Sequence, residues 1–290
     1  MSVNIFWPYY NRNGISDQLF IITEFFKNNN IEYKVSSSLS TCSTNLMIEN
    51  FDQMTTDYVD KFCNKHDLKI DVLVTEFITK KRNLYFLNDI KDPLDLNQIS
   101  NNPFINRFYY LNSISKHINS FISILNIPDL TNYMELFNVD CGYRLDISFV
   151  RDLEPKYVSN YDFYFSGQLT KYRLDIINDL SKKYSIYYEK DFIPEAERII
   201  NLNKCKFSLN IPQSPLWKWN SIMRIIFSIR CGKYIVNLNE SPETIFDDYM
   251  INISNMVDES EIKKMDYLIK TNLFSNDVNN YLKSLNNSFF

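Results

Sequence analysis

The stretch from Cys205 to Glu240, CKFSLNIPQSPLWKWNSIMRIIFSIRCGKYIVNLNE, constrains the fold more than any other part of the chain. Phe207 to Ile211 is short, apolar and partly β-branched, and Pro212 ends it, so it reads as a buried strand. Over about Trp217 to Cys231, Ile222, Ile225, Ile226 and Ile229 recur at three- and four-residue spacing, which predicts a helix with one apolar stripe. Gly232 follows directly, where a helix end favours a left-handed residue, and Tyr234 to Leu238 reads as the next strand. Strand, helix and strand in this compass form a βαβ unit, whose sheet is parallel and covered by helices. The expected class is α/β.

The other face of that helix carries Asn220, Arg224 and Phe227 within a narrow arc, with Ser228 beside it. An arginine fork can hold phosphate and a ring can stack on a base. A solvated face with one buried Phe gives the same pattern. Upstream, Tyr161 to Phe165 reads as a strand, followed by a turn at Gly167 and a helix over about Leu169 to Lys183, with Leu174, Ile176, Ile177 and Leu180 inward. A glycine turn opening a helix aims free N–H groups at an anion. Lys171 and Arg173 in the first turns are unwelcome beside the positive helix end unless an anion is present, which favours a diphosphate ligand. One glycine is too few for a dinucleotide fingerprint or a P-loop, so NAD and ATP-hydrolase chemistry are excluded.

Asn210 at the end of the buried strand, and Arg224 eight residues before Gly232, carry a family resemblance. This layout resembles the donor-binding half of GT-B glycosyltransferases, in particular the spore-protein-like group with Leu-Asn-x-(loop)-Arg-x-x-Glu-(Ala/small)-x-x-x-Gly. The likeness spans about 155–250, and the N-terminal half shares only the layout. It implies two Rossmann-like domains facing across a cleft, with the last helix crossing back to the first domain. It implies an enzyme that moves a sugar from a nucleotide-sugar co-substrate to a glycan, a lipid-linked glycan or another hydroxyl acceptor, with no further cofactor. The absence of an Asp-x-Asp motif suits independence of a metal. Gly14, Gly167, Lys171, Arg173, Asn210, Asn220, Arg224, Phe227 and Glu240 would then surround the donor. Phe227 stands where the pattern has Glu, whose carboxylate contacts the ribose in the family. That departure opens a second reading, a non-catalytic nucleotide-sugar-binding module on the same fold. A third is a transferase acting on modified DNA bases, as some viral GT-B enzymes do.

A chain of 290 residues suits two domains, expected at 1–152 and 153–275, with a terminal helix over 276–290. The net charge of −4 argues against a non-specific grip on nucleic acid. Five dispersed cysteines, at 42, 63, 141, 205 and 231, and only two histidines argue against a disulfide frame or a zinc site and suit a reducing compartment. No signal-peptide pattern and no apolar run of about 18 residues stands in the sequence, so the expected location is cytoplasmic. Peripheral contact with the inner face of a membrane stays open, because exposed aromatics could supply it.

In the first half, Val3 to Phe6 reads as a strand, Ser16 as an N-cap, and Leu19 to Phe26 as a helix ended by Asn28 to Asn30. Gly14 lies in the first loop, at the carboxyl edge where ligands collect. Asp17 either complements the helix dipole or serves as general base for the acceptor hydroxyl. Glu32 to Ser36 is the second strand, 37–50 a polar loop, Met54 to His66 a helix, and Ile70 to Val74 an interior strand. Glu76, just past that strand, is either a second base candidate or an ordinary loop carboxylate. Tyr85 to Asn88 and Phe108 to Leu111 read as strands, Ser113 to Leu125 as a helix with His117 on its surface, and 141–149 as a strand before a linker at 151–160. Beyond it, Ile186 to Tyr188 reads as a strand, Pro194 starts a helix, and 241–249 and 258–271 read as helices.

Overall fold

The computed structural model describes residues 2–9, 12–48, 52–75, 103–124, 130–145, 160–212, 221–238 and 250–252. The expected elements at 85–88, 241–249, 258–271 and 276–290, and the linker at 151–159, lie outside the described residues. The chain divides into two compact units, one containing Met1–Asn11 and Ile21–Phe149, the other Arg12–Phe20 and Val150–Asn286.

The first unit holds strands β1 (Ser2–Phe6), β2 (Glu32–Ser36), β3 (Thr44–Ile48), β4 (Ile70–Val74), β5 (Ile118–Ile124) and β6 (Gly142–Leu145). They form one sheet in the order β2-β1-β3-β4-β5-β6 with every pairing parallel. Helices α1 (Ser16–Asn28), α2 (Gln53–His66), α3 (Pro103–Ser113) and α4 (Leu130–Phe137) connect them. Asp52 caps α2 by accepting from the Thr55 N–H at 2.7 Å, and Asp67 ends it in the left-handed conformation at φ 50°. Phe6, Met47, Val72, Val74 and Phe121 from the sheet pack with Val59, Leu111, Tyr133 and Phe137 from the helices into one core.

Three expectations in this unit are corrected. The loop at 37–50 contains β3, a strand between β1 and β4 near the centre of the sheet. Its polar start is explained by Asn45, which is buried opposite Asn4 of β1 and accepts a 2.8 Å hydrogen bond from the Asn4 amide. Asn4 also donates to Ser38 O at 3.0 Å, and Asn45 donates to Ser40 O at 2.8 Å, so the two side chains pin the short connection over the sheet. Phe108 to Leu111 is helical: Phe108, Leu111 and Ile114 are buried at three-residue spacing while Tyr109 points out. The stretch from 113 to 125 is mainly β5, entered through a 3-10 turn at Ser115–His117. A bulge beside Ile70 and Asp71 inserts Asn119 and breaks the strict alternation, so Ile118, Phe121 and Ile124 imitate a helical repeat. His117 is therefore buried, with Nε2 3.0 Å from Asp60 Oδ1.

The second unit repeats the plan. Strands β7 (Tyr161–Phe165), β8 (Ile186–Tyr188), β9 (Cys205–Asn210), β10 (Ile235–Asn237) and β11 (Met250–Asn252) lie in the order β11-β10-β9-β7-β8, all parallel. Helices α5 (Lys171–Leu180), α6 (Glu195–Asn203) and α7 (Ile222–Arg230) lie between them. Helix α7 ends as its glycine requires. Gly232 sits at φ 65°, its N–H donates to Ile229 O at 2.9 Å, and the Lys233 N–H donates to Ser228 O at 2.9 Å. Every residue of α7 is buried, so its polar side faces protein rather than solvent. Among the described residues no helix is long and apolar enough to cross a membrane.

Candidate donor site

In both sheets the chain leaves one strand for the edge and then returns past it, so the order reverses between β1 and β3 and between β7 and β9. Such reversals open a crevice at the carboxyl ends of the strands, where open α/β sheets bind ligands. In the second unit the segments flanking that point are Ser166 and Gly167, which follow β7, and Asn210, which ends β9. Gly167 adopts φ +144°, a conformation that side chains rarely enter.

Two arginines converge there. Arg173, in the first turn of α5, is buried; its Nη1 donates to Gln168 O at 2.7 Å and its Nε to Ile211 O and Pro212 O at 3.1 and 3.2 Å. Thr170 caps this helix, accepting from the Arg173 N–H at 3.3 Å. Arg224, in the first turn of α7, is buried as well; its Nε donates to Ser166 O at 3.0 Å and its Nη1 to Asn210 Oδ1. The Asn210 amide in turn donates to Asn237 Oδ1, at the end of β10, at 3.0 Å. The guanidinium carbons of Arg173 and Arg224 lie 5.4 and 5.1 Å from the centroid of the Phe165 ring. A Cβ on Gly167 would meet Arg224 Nη2 at 2.9 Å and Arg173 Nη1 at 3.7 Å. Burial, and then the like charge of Arg173, hold the Arg224 guanidinium well below its ordinary pKa range. Among the described residues, the hydrogen-bond acceptors of Arg224 are all neutral.

A third arginine packs on α7, the helix that carries Arg224. Arg198 of α6 gives both terminal nitrogens to the two carboxylate oxygens of Asp17, Nη1 reaching Oδ2 at 3.0 Å. Asp17 belongs to the segment Arg12–Phe20, which clusters with the second unit. The Arg198 guanidinium carbon stands 4.2 Å from the centroid of the Phe227 ring. Burial draws the Arg198 pKa down, but the charge and hydrogen bonds of Asp17 outweigh it and leave the pKa raised. Phe227 is buried with Tyr164, Leu202, Cys205 and Cys231. Its face is covered by Arg198, so the ring expected to stack on a base forms the floor under a cation.

The remaining sequence candidates fall into two groups. Lys171 is exposed and pairs with Asp175 at 2.6 Å along α5. Gly14 is exposed in a 3-10 turn, with open space where a Cβ would stand. Asn220, Glu76 and Glu240 lie outside the described residues. The sequence reading gave no role to Phe165, Asn237 or Arg198. Arg198 carried a usable signal: it shares a helix face with Leu202 and precedes Cys205 by seven residues, a cation set into an apolar repeat.

Neither a family profile nor a curated protein sequence matches this chain. Solved structures do. A β-glucosyltransferase described as a DNA modifying enzyme matches with TM-score 0.53 and 11% identity, covering 98% of each chain. T4 phage BGT in complex with UDP and Mn2+ matches with TM-score 0.58 and 13% identity, over 98% of this chain and 95% of that one. An α-glucosyltransferase held with UDP and a 13-mer DNA containing an HMU base matches with TM-score 0.52 and 8% identity, over 97% and 93%. The chain has the GT-B glycosyltransferase fold. In this GT-B chain the arginine pair lies at the strand-order reversal of the second unit, the edge where a doubly wound sheet receives its ligand.

Proposed function

We propose that this chain is a glycosyltransferase that takes its sugar from a nucleoside-diphosphate sugar. The observation that carries the reading is the buried Arg224 guanidinium, set against Arg173 and satisfied only by neutral oxygens among the described residues. A buried guanidinium whose hydrogen-bond acceptors are neutral, with a like charge nearby, is stabilised by an anion that reaches it. A diphosphate supplies that anion. In the reaction the acceptor oxygen attacks the anomeric carbon and the bond from that carbon to the diphosphate breaks. The electron pair leaves with the nucleotide, and the acceptor proton passes to a base. Arg173 and Arg224 would stabilise the charge that develops on the leaving diphosphate, a contribution often worth several kcal/mol (about 3–4 for one lost donor in an oxyanion hole). Two structures of the same fold were solved with UDP, which makes UDP the first nucleotide to test.

The acceptor is a hydroxyl group. A glycan and a hydroxyl-bearing DNA base both offer one, and the DNA reading draws support from structures of the same fold described with DNA. The decisive experiment is calorimetric titration of the full chain with UDP, followed by transfer from UDP-[14C]glucose to oligosaccharide and to hydroxymethylated DNA. Wild type is expected to bind UDP and Arg224→Gln to lose about 10- to 100-fold in affinity, the size expected for removing a charged hydrogen-bond partner. Equal UDP binding by the two proteins would overturn the reading, and label in one acceptor and not the other would name its class.

A further inference from the structure

Resting on the donor reading above, we infer that Asp17 is a positioning residue of the donor site: it holds Arg198 on the Phe227 ring and so sets the charge of the arginine cluster that receives the diphosphate.

Three observations converge on this. First, both Asp17 oxygens accept from Arg198, and both side chains are largely buried. A base for an acceptor hydroxyl needs an oxygen turned toward that hydroxyl. Here the carboxylate is turned toward a guanidinium. Second, Arg198 is held from two sides, by the carboxylate and by the ring face 4.2 Å from its guanidinium carbon, while its Nε is buried without a hydrogen-bond partner among the described residues. The ring and the Asp17 bidentate contact therefore orient the guanidinium. Third, the Phe227 ring that carries Arg198 lies three residues after Arg224 on the same helix α7, and in keeping with that placement Asp17 favours the charge of Arg224 while Arg198 opposes it together with Arg173. The four groups form one electrostatic cluster. Without Asp17 the cluster gains a further unit of positive charge, and Arg198 keeps the ring face but loses its bidentate carboxylate.

The geometry also supplies a test by relocation. Position 227 lies directly beneath the Arg198 guanidinium, so a carboxylate placed there from α7 faces the same cation that Asp17 holds from 12–20. Calorimetry with UDP and steady-state turnover of a UDP-sugar are measured on the full chain for wild type, Arg224→Gln, Asp17→Asn, Asp17→Glu and the double variant Asp17→Asn with Phe227→Glu. Asp17→Asn is expected to raise the Kd for UDP and the KM for the donor about tenfold, with a smaller fall in kcat and an unchanged acid limb in the pH profile. The double variant is expected to regain most of the UDP affinity. Asp17→Glu, which reaches Arg198 with one more methylene, is expected to stay within about threefold of wild type in both Kd and kcat, and it decides the matter should the double variant fail to fold. A collapse of kcat with unchanged UDP affinity and loss of the acid limb would make Asp17 the base and overturn the inference. A lowered melting temperature with unchanged UDP affinity would overturn it as well, by reducing Asp17 to a structural contact. Failure of the donor reading looks different: wild type and Arg224→Gln would then bind UDP equally or not at all.

Discussion

Arg224 occupies the space that a side chain on Gly167 would need. Its Nη2 lies 2.9 Å from the ideal Cβ position, and the guanidinium is fixed there by Ser166 O and Asn210. The glycine thus has two reasons to be a glycine, its φ of +144° and the arginine that fills its vacant side.

Gly167→Ala is expected to push the guanidinium off Asn210 and to strain the turn by about 1–3 kcal/mol. UDP affinity should fall about tenfold or more, together with a lower melting temperature. Unchanged affinity in a folded Gly167→Ala protein would mean that the arginine can retreat without cost, and that its position against the glycine is not what binds the nucleotide.

Asn210→Asp should separate stability from binding. The substitution places a carboxylate on Arg224 Nη1 at the end of β9, and the Asn237 amide can turn its N–H toward the new charge. A buried cation that gains a hydrogen-bonded counter-ion is stabilised. The expected outcome is a melting temperature equal to or above that of wild type, with UDP affinity reduced more than about tenfold because the site now holds its own anion. Calorimetry and thermal unfolding of one protein preparation check both halves.

The parts of this architecture that were legible in the sequence are local. The βαβ unit from β9 to β10 could be read because its strand, its isoleucine stripe and its glycine stop lie within one stretch. Arg173 was legible for the same reason, as a cation in the first turn of a helix, where the backbone alone disfavours it. Strand β3 was hidden because a buried Asn pair reads as loop chemistry until its partner on β1 is known. Strand β5 was hidden by a single bulge. The Arg198–Asp17 pair joins residues 181 positions apart, and no periodicity reports on such a contact. Phe227 shows the same limit from another side. Its spacing with Arg224 suggested a shared ligand face, but α7 is buried all round, so helical phase could not tell a ligand from a protein neighbour.

The five cysteines give a prediction that probes the core of both units. Burial pushes the Cys63 thiol up to about 11, with the Asp60 charge adding to it, and pushes Cys205 and Cys231 up to about 12 against the opposing pull of nearby cations. The thiolate is the reactive form, so a thiol whose pKa is raised stays protonated and inert at pH 8. Cys42 is exposed and Cys141 half-buried. Titration of the folded protein with an aromatic disulfide reagent at pH 8 is expected to modify Cys42 and Cys141 quickly and to spare Cys63, Cys205 and Cys231, all five reacting once denaturant opens the fold. Cys231 and Cys205 pack against Phe227, the ring on which Arg198 rests. Rapid labelling of either in the native protein would show that this core opens readily, and the floor beneath the arginine cluster would then be too loose to position it. Saturating UDP should slow whatever residual labelling Cys205 and Cys231 show, because a ligand that binds only the native state lowers the population of the opened form.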